Sequence, residues 1–199
     1  MPGYSETIEK LIAELNKLPG IGARSAERIA FHILKAKRDE ALALADAIRG
    51  VKLNVRPCKV CYNLAEGELC AICANPRRDP ATICVVEQPK DLLALEATGV
   101  YGGVYHVLMG HIAPLEDIDA DDLTLGALAD RVRQGGVKEV ILATNPDVAG
   151  DGTALHITAM LTPLGVKVTR LARGLPTGGQ IEYASKSVLS DAISERRTV

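Results

Sequence analysis

The sequence predicts a mixed α and α/β protein. Three observations carry that reading: apolar residues at helical spacing from residue 5 to residue 53, two cysteine pairs in mid-chain, and short β-branched runs alternating with helical stretches after residue 80. The expected division is a helical domain over residues 1–56, a cysteine-bearing module and linker over 57–80, a parallel-sheet domain over 81–173 and a tail over 174–199.

In the first part, Ile8, Leu11, Ile12, Leu15 and Leu18 repeat at i, i+3, i+4 and i+7, which predicts a helix over 5–18 with Ser5 at its N-cap. Pro19-Gly20-Ile21-Gly22 breaks it. A second helix is expected from about Arg24 to Lys37, and a third from about Asp39 to Leu53, ended by Arg56-Pro57. Asn75 to Pro80 has the composition of a linker. Strands are then expected at Thr82–Glu87, Gly103–Met109, Glu139–Thr144 and Lys167–Ala172, with helices at Lys90–Thr98, Leu123–Gln134 and Gly152–Leu164 between them. Continuous β-branched runs of this kind belong to a parallel sheet covered on both faces. In the tail, Gln180–Ala184 predicts an edge strand and a last short helix follows.

Charge and composition narrow the function. The chain has 199 residues, with 23 basic against 25 acidic, and a pI near 6.1. Global attraction to nucleic acid is therefore excluded, and phosphate binding must come from local patches. One Phe, five Tyr and no Trp leave little material for base stacking. No apolar run is long enough to span a membrane and the start lacks a signal-peptide core, so a cytoplasmic protein is expected. In that reducing setting five cysteines point to metal or core packing rather than disulfides.

Cys58-x-x-Cys61 and Cys70-x-x-Cys73 stand eight residues apart. Two such knuckles let four thiolates close a tetrahedron around Zn2+ with no position left for water, so the expected role is structural. A redox pair or an iron–sulfur cluster would use the same residue type; two pairs within sixteen residues favour zinc. Cys84, inside a strand run, is expected to be a small buried hydrophobe.

The segment Leu18-Pro-Gly-Ile-Gly-Ala-Arg-Ser-Ala-Glu-Arg joins two helices through a tight glycine-bearing turn. Gly20 and Gly22 tolerate backbone angles that other residues resist, and amides at the start of the second helix can point at a phosphate. Arg24 and Arg28, four residues apart, add charge to one side. That is the pattern of a helix-hairpin-helix, which grips the sugar-phosphate strand and reads little sequence. A plain helical hairpin, or one that contacts protein, would share the turn. Residues 1–57 carry ten basic against seven acidic side chains, a net of +3, on a chain of net −2.

Glu87 ends the first expected strand, and Asn145, Asp147 and Asp151 follow the third. In a parallel sheet these positions meet at the carboxyl edge, where Mg2+ could be held. The arrangement resembles a Toprim domain, whose D-x-D pair here reads Asn145-Pro-Asp147; Ala149 stands where related loops carry Glu. Losing carboxylates weakens two-metal phosphoryl chemistry.

The order of hairpin, four-cysteine module, Toprim-like sheet and the tail GLPTGGQIEY resembles the bacterial RecR family of recombination mediators over essentially the whole chain. The strongest elements are LPGIGARSAERIAFHIL, the C-x2-C-x8-C-x2-C spacing, TICVVEQPKDLLALE, YHVLMGHIAPLEDI, EVILATNPD and GLPTGGQIEY. The resemblance implies action in recombinational repair with RecO and RecF, helping to load the recombinase on single-stranded DNA. It also implies a ring-shaped homotetramer around double-stranded DNA, a nucleoid-associated location and a tail used in assembly. Arg24 and Arg28 would then face DNA, and the Toprim acids Glu87, Asp147 and Asp151 would be a site for acidic chemistry or a partner contact. The rival is a Mg2+-dependent Toprim nuclease or primase-like enzyme.

Overall fold

The computed structural model describes residues 3–196, and the chain divides into two compact units, 1–55 and 56–199. The first unit is helical: α1 (Glu6–Asn16), α2 (Ala23–Lys35) and α3 (Arg38–Asn54). Ser5 is the N-cap of α1, but its hydroxyl makes no capping hydrogen bond; Glu6 and Glu9 supply the favourable first-turn charge instead. α1 and α2 pack against each other, and the buried residues of α2 are Ala26 and Ala30, small side chains that let two backbones approach. No residue of α3 is buried.

The second unit opens with a short antiparallel hairpin, β1 (Arg56–Pro57) against β2 (Leu64–Ala65). Arg56-Pro57, expected only to end a helix, is thus also the first strand of the cysteine module. The remaining strands, β3 (Asp79–Val86), β4 (Gly103–Val107), β5 (Glu139–Leu142) and β6 (Lys167–Arg170), form an all-parallel sheet in the order β4-β3-β5-β6. Asp79 and Pro80, read as linker, belong to β3, and Asp79 pairs with Gly103.

The two faces of β3 explain its unbroken apolar run. Ile83 and Val85 enter one core with Leu125, Leu128 and Val132 of α5 (Leu125–Arg133) and Ala154, Ile157 and Leu161 of α6 (Val148–Leu161). Cys84 and Val86 enter the other with Leu92 of α4 (Pro89–Glu96) and Tyr105 and Val107 of β4. Alternate residues point to opposite faces, and both faces are covered. The second face is covered in part by Tyr62 and Ile72 of the cysteine module. Cys84 is buried and free, as expected of a small core hydrophobe.

The tail differs from expectation. Residues 180–184 form no strand; Ile181–Tyr183 make a single 3-10 turn before α7 (Lys186–Ser194). The β-branched and aromatic residues there read as a strand, but Ile181 and Tyr183 are exposed and bond to no sheet edge. No helix among the described residues is long and apolar enough to cross a membrane.

Candidate phosphate hairpin, zinc centre and acidic edge

The turn between α1 and α2 is closed by the Ile21 amide donating to the Leu18 carbonyl, 3.1 Å. Gly20 takes φ +77°, a conformation that L side chains rarely adopt. Gly22 is the N-cap of α2 and offers no side chain to cap it. α1 and α3 both carry acidic residues in their first turns; α2 carries none and has Arg24 there instead. A positive side chain at a positive helix end is unfavourable until an anion arrives. Arg24 and Arg28 are exposed, while the intervening Glu27 accepts a hydrogen bond from the Tyr4 hydroxyl. Gly20 thus lies in the turn, Gly22 and Arg24 at the start of α2, and Arg28 one helical turn beyond Arg24.

The four cysteines converge. The Sγ atoms of Cys58, Cys61, Cys70 and Cys73 all lie within 4.8 Å of one another, and those of Cys61 and Cys70 are 3.5 Å apart. Zn–S bonds of ~2.3 Å in a tetrahedron put sulfurs about 3.8 Å apart, so the donor set fits one zinc ion. The knuckles turn sharply: Tyr62, just after Cys61, has φ +61°, and the Tyr62 amide donates to the Cys58 carbonyl. Burial opposes ionisation of Cys58, but backbone amides of Cys70, Cys61 and Val60 outweigh it and bring the thiol down to about 7. The Cys73 sulfur and burial push Cys61 up, and burial pushes Cys70 up. Thiolates this close repel one another, and a cation among them is what holds all four deprotonated. The module is tied to the sheet where the Val107 amide of β4 donates to the Cys61 carbonyl, 2.8 Å.

The three acidic residues at the carboxyl edge do not converge on one point. Glu87 is buried and already engaged. Its Oε1 accepts from the Asn145 amide and its Oε2 from the Asn145 side chain, each at 2.7 Å, with His111 Nδ1 at 3.2 Å. Gly150 makes room for this: a Cβ there would collide with the Asn145 carbonyl and Glu87. Asp147 caps α6 by accepting from the Gly150 amide, 2.8 Å. Asp151 is ion-paired with Arg170 and Arg173. Hydrogen bonding from Arg173 is the largest influence, and together with hydrogen bonding from Arg170 and the charge of both arginines it outweighs burial and holds the Asp151 carboxyl below the usual range. Among the described residues, the four cysteines are the one group of three or more His, Cys, Asp or Glu side chains placed to share an ion. Sequence reasoning missed His111, Arg170 and Arg173; no local pattern marks them, since each meets its partner only through the fold.

Comparison with known proteins bears on the same three regions. Residues 8–52 match the RecR helix-hairpin-helix model, residues 55–75 the RecR four-cysteine zinc finger domain and residues 81–172 a Toprim domain. A recombination protein RecR of Rhodopirellula baltica is 53% identical over 197 residues, covering 99% of each chain. The chain belongs to the RecR family. Another RecR, from Rubrobacter xylanophilus, is 52% identical with 99% of each chain covered, and one from a Roseiflexus species is 54% identical over 94% of this chain and 92% of its own. Membership in the RecR family and the converging sulfurs agree on a structural zinc held by the four-cysteine domain.

Proposed function

We propose that this RecR-family chain is a non-catalytic, DNA-binding mediator of recombinational repair. The observation that carries the reading is the start of α2: a glycine N-cap, no acidic residue in the first turn, and Arg24 and Arg28 exposed beside it. Phosphate of double- or single-stranded DNA supplies the missing negative charge. Gly20 and Gly22 contribute conformation and amides, the two arginines charge. The zinc is structural, and we place the domain limits at 1–55, 56–78, 79–173 and 174–199, because Arg56 opens β1 and Asp79 opens β3.

The family resemblance supplies the finer role. The chain acts with RecO and RecF in gap repair and helps load the recombinase on single-stranded DNA, as a ring-shaped homotetramer associated with the nucleoid. The Toprim domain serves this without turnover. Glu87 is tied to Asn145, Asp147 caps a helix and Asp151 neutralises two arginines, which leaves no carboxylate pair free to clamp two metal ions.

The test is DNA affinity over a range of salt. With Arg24→Ala and Arg28→Ala together, binding of duplex should weaken for all sequences alike, and the slope of log K against log salt should fall by about 0.9 for each phosphate no longer neutralised. Unchanged affinity and slope, with a partner complex disturbed instead, would move the hairpin to protein contacts. DNA cleavage in Mg2+ or Mn2+ that Glu87→Ala abolishes would overturn the non-catalytic reading.

A further inference from the structure

The helical unit carries a groove beside its phosphate-binding turn. Its volume is about 390 Å3, near the lower end of the ~300–1,000 Å3 that suits a small ligand. Ile12 and Ala13 of α1 and Ala23 of α2 supply apolar wall, and Tyr4, Glu9 and Arg24 line the same groove. Ala23 and Arg24 open α2 directly after its Gly22 N-cap. The groove is therefore continuous with the end of the hairpin that meets phosphate.

The Tyr4 ring is held twice. It meets the Phe31 ring edge-on at 5.2 Å, and its hydroxyl donates to Glu27. Tyr4 nevertheless stays 49% exposed. An aromatic ring fixed by its neighbours and left half open is a stacking surface with little freedom left to lose. A nucleotide matches the distribution of chemistry around it. Its phosphate suits the Arg24 guanidinium and its flat base the ring and apolar wall, while the N–H groups on the edges of cytosine, adenine or guanine suit the Glu9 carboxylate.

We propose that this groove receives one unpaired nucleobase of a DNA strand whose phosphate lies on Arg24, an inference that rests on the DNA-binding reading of the hairpin. In a duplex the bases are paired and stacked, so only an unpaired strand fills the groove. The hairpin thereby gains a contact that separates single-stranded from double-stranded DNA. One ring per copy fits a chain with one Phe, five Tyr and no Trp: it holds a single base and not a row of them.

The experiment titrates full-length, zinc-loaded protein with a single-stranded oligonucleotide and with the same sequence as duplex. Tyr4→Ala should weaken single-strand binding by at least about fivefold and leave duplex binding within about twofold of the parent. Tyr4→Phe keeps the ring and should bind both as the parent does. Undiminished single-strand binding by Tyr4→Ala overturns the proposal. So does an equal loss on both substrates, which would reduce Tyr4 to a support of the helical unit. Ala13→Gln, at an exposed position of α1, fills the groove with Tyr4 intact and should show the same selective loss; it decides alone should Tyr4→Ala fail to fold. An oligonucleotide carrying 5-iododeoxycytidine, irradiated in the complex, should attach to Tyr4, and attachment only elsewhere overturns the base contact. Arg24→Ala with Arg28→Ala keeps the two readings apart. If that pair weakens both substrates while Tyr4→Ala changes neither, the phosphate contact stands and the base groove falls; if the pair weakens neither, the phosphate contact itself fails.

Discussion

Asn145 shows how one atom changes a site. Its side-chain amide donates to Glu87 at 2.7 Å, where an aspartate would set one carboxylate against another. Like charges at that separation in a buried setting are costly. Asn145→Asp should therefore destabilise the sheet unit by about 1–3 kcal/mol at neutral pH, read as a lower midpoint in thermal or urea unfolding; an unchanged midpoint would mean that Glu87 is not held by Asn145. His106 sets a second residue-scale expectation. Burial, against a hydrogen bond to the Thr124 carbonyl, brings its imidazole down to about 4. The unfolded chain takes up that proton near pH 6.5 and the folded chain resists it, so stability is full above that pH. It should fall by about 3 kcal/mol between pH 6.5 and 4. Comparing the pH dependence with that of His106→Asn isolates this effect, because acid loss of zinc is common to both; superimposable curves would refute it. Residue types and local order made the cysteines and the edge acids Glu87, Asp147 and Asp151 legible in advance. The partners of those acids were not, because His111 and Glu87 lie 24 residues apart and Arg173 and Asp151 22 apart, and packing alone brings them together.

At the scale of elements, the zinc module acts as a cover for the sheet as well as a metal site. Tyr62 and Ile72 pack on the core of Cys84, Val86, Leu92, Tyr105 and Val107, and the Tyr62 ring meets the His106 ring edge-on at 5.5 Å. Zinc closes the module, so zinc binding contributes to folding of that face. Removing the metal under reducing conditions should speed hydrogen exchange across residues 56–75 and at the Val107 amide, while the amides of α1 and α2 keep their protection. Equal protection with and without zinc would mean that the module folds without its metal. Strands and helices of the sheet were readable because buried runs and periodicity are local signals. The 3-10 turn at Ile181–Tyr183 was not, since composition cannot say whether a strand will find an edge to pair with. α6 begins at Val148, four residues before the expected Gly152, because Asp147 caps it; an aspartate in that loop suits a metal ligand and a helix cap equally well, and only the fold decides between them.

At the scale of the whole molecule, a near-neutral chain needs repetition to hold DNA. Two arginines per hairpin make a weak patch, and the ring of four copies proposed above would present it four times at high effective concentration. Such an assembly needs surface to cover, and α3 offers it. Leu44, Ile48 and Val51 recur at i, i+4 and i+7, and each is half or more exposed. Apolar residues in a row on one helix mark an interaction surface rather than ordinary exposure. Replacing Leu44 and Ile48 together by lysine should leave the fold and zinc content intact, since neither side chain is buried, yet lower the mass in solution. Duplex affinity should then fall by about a hundredfold or more although Arg24 and Arg28 are untouched. Solution mass and binding isotherms measured on the same sample separate the outcomes. An unchanged mass would place assembly on another surface. A smaller species that binds duplex as tightly as the parent would show that each hairpin suffices alone, and would remove the reason for a ring.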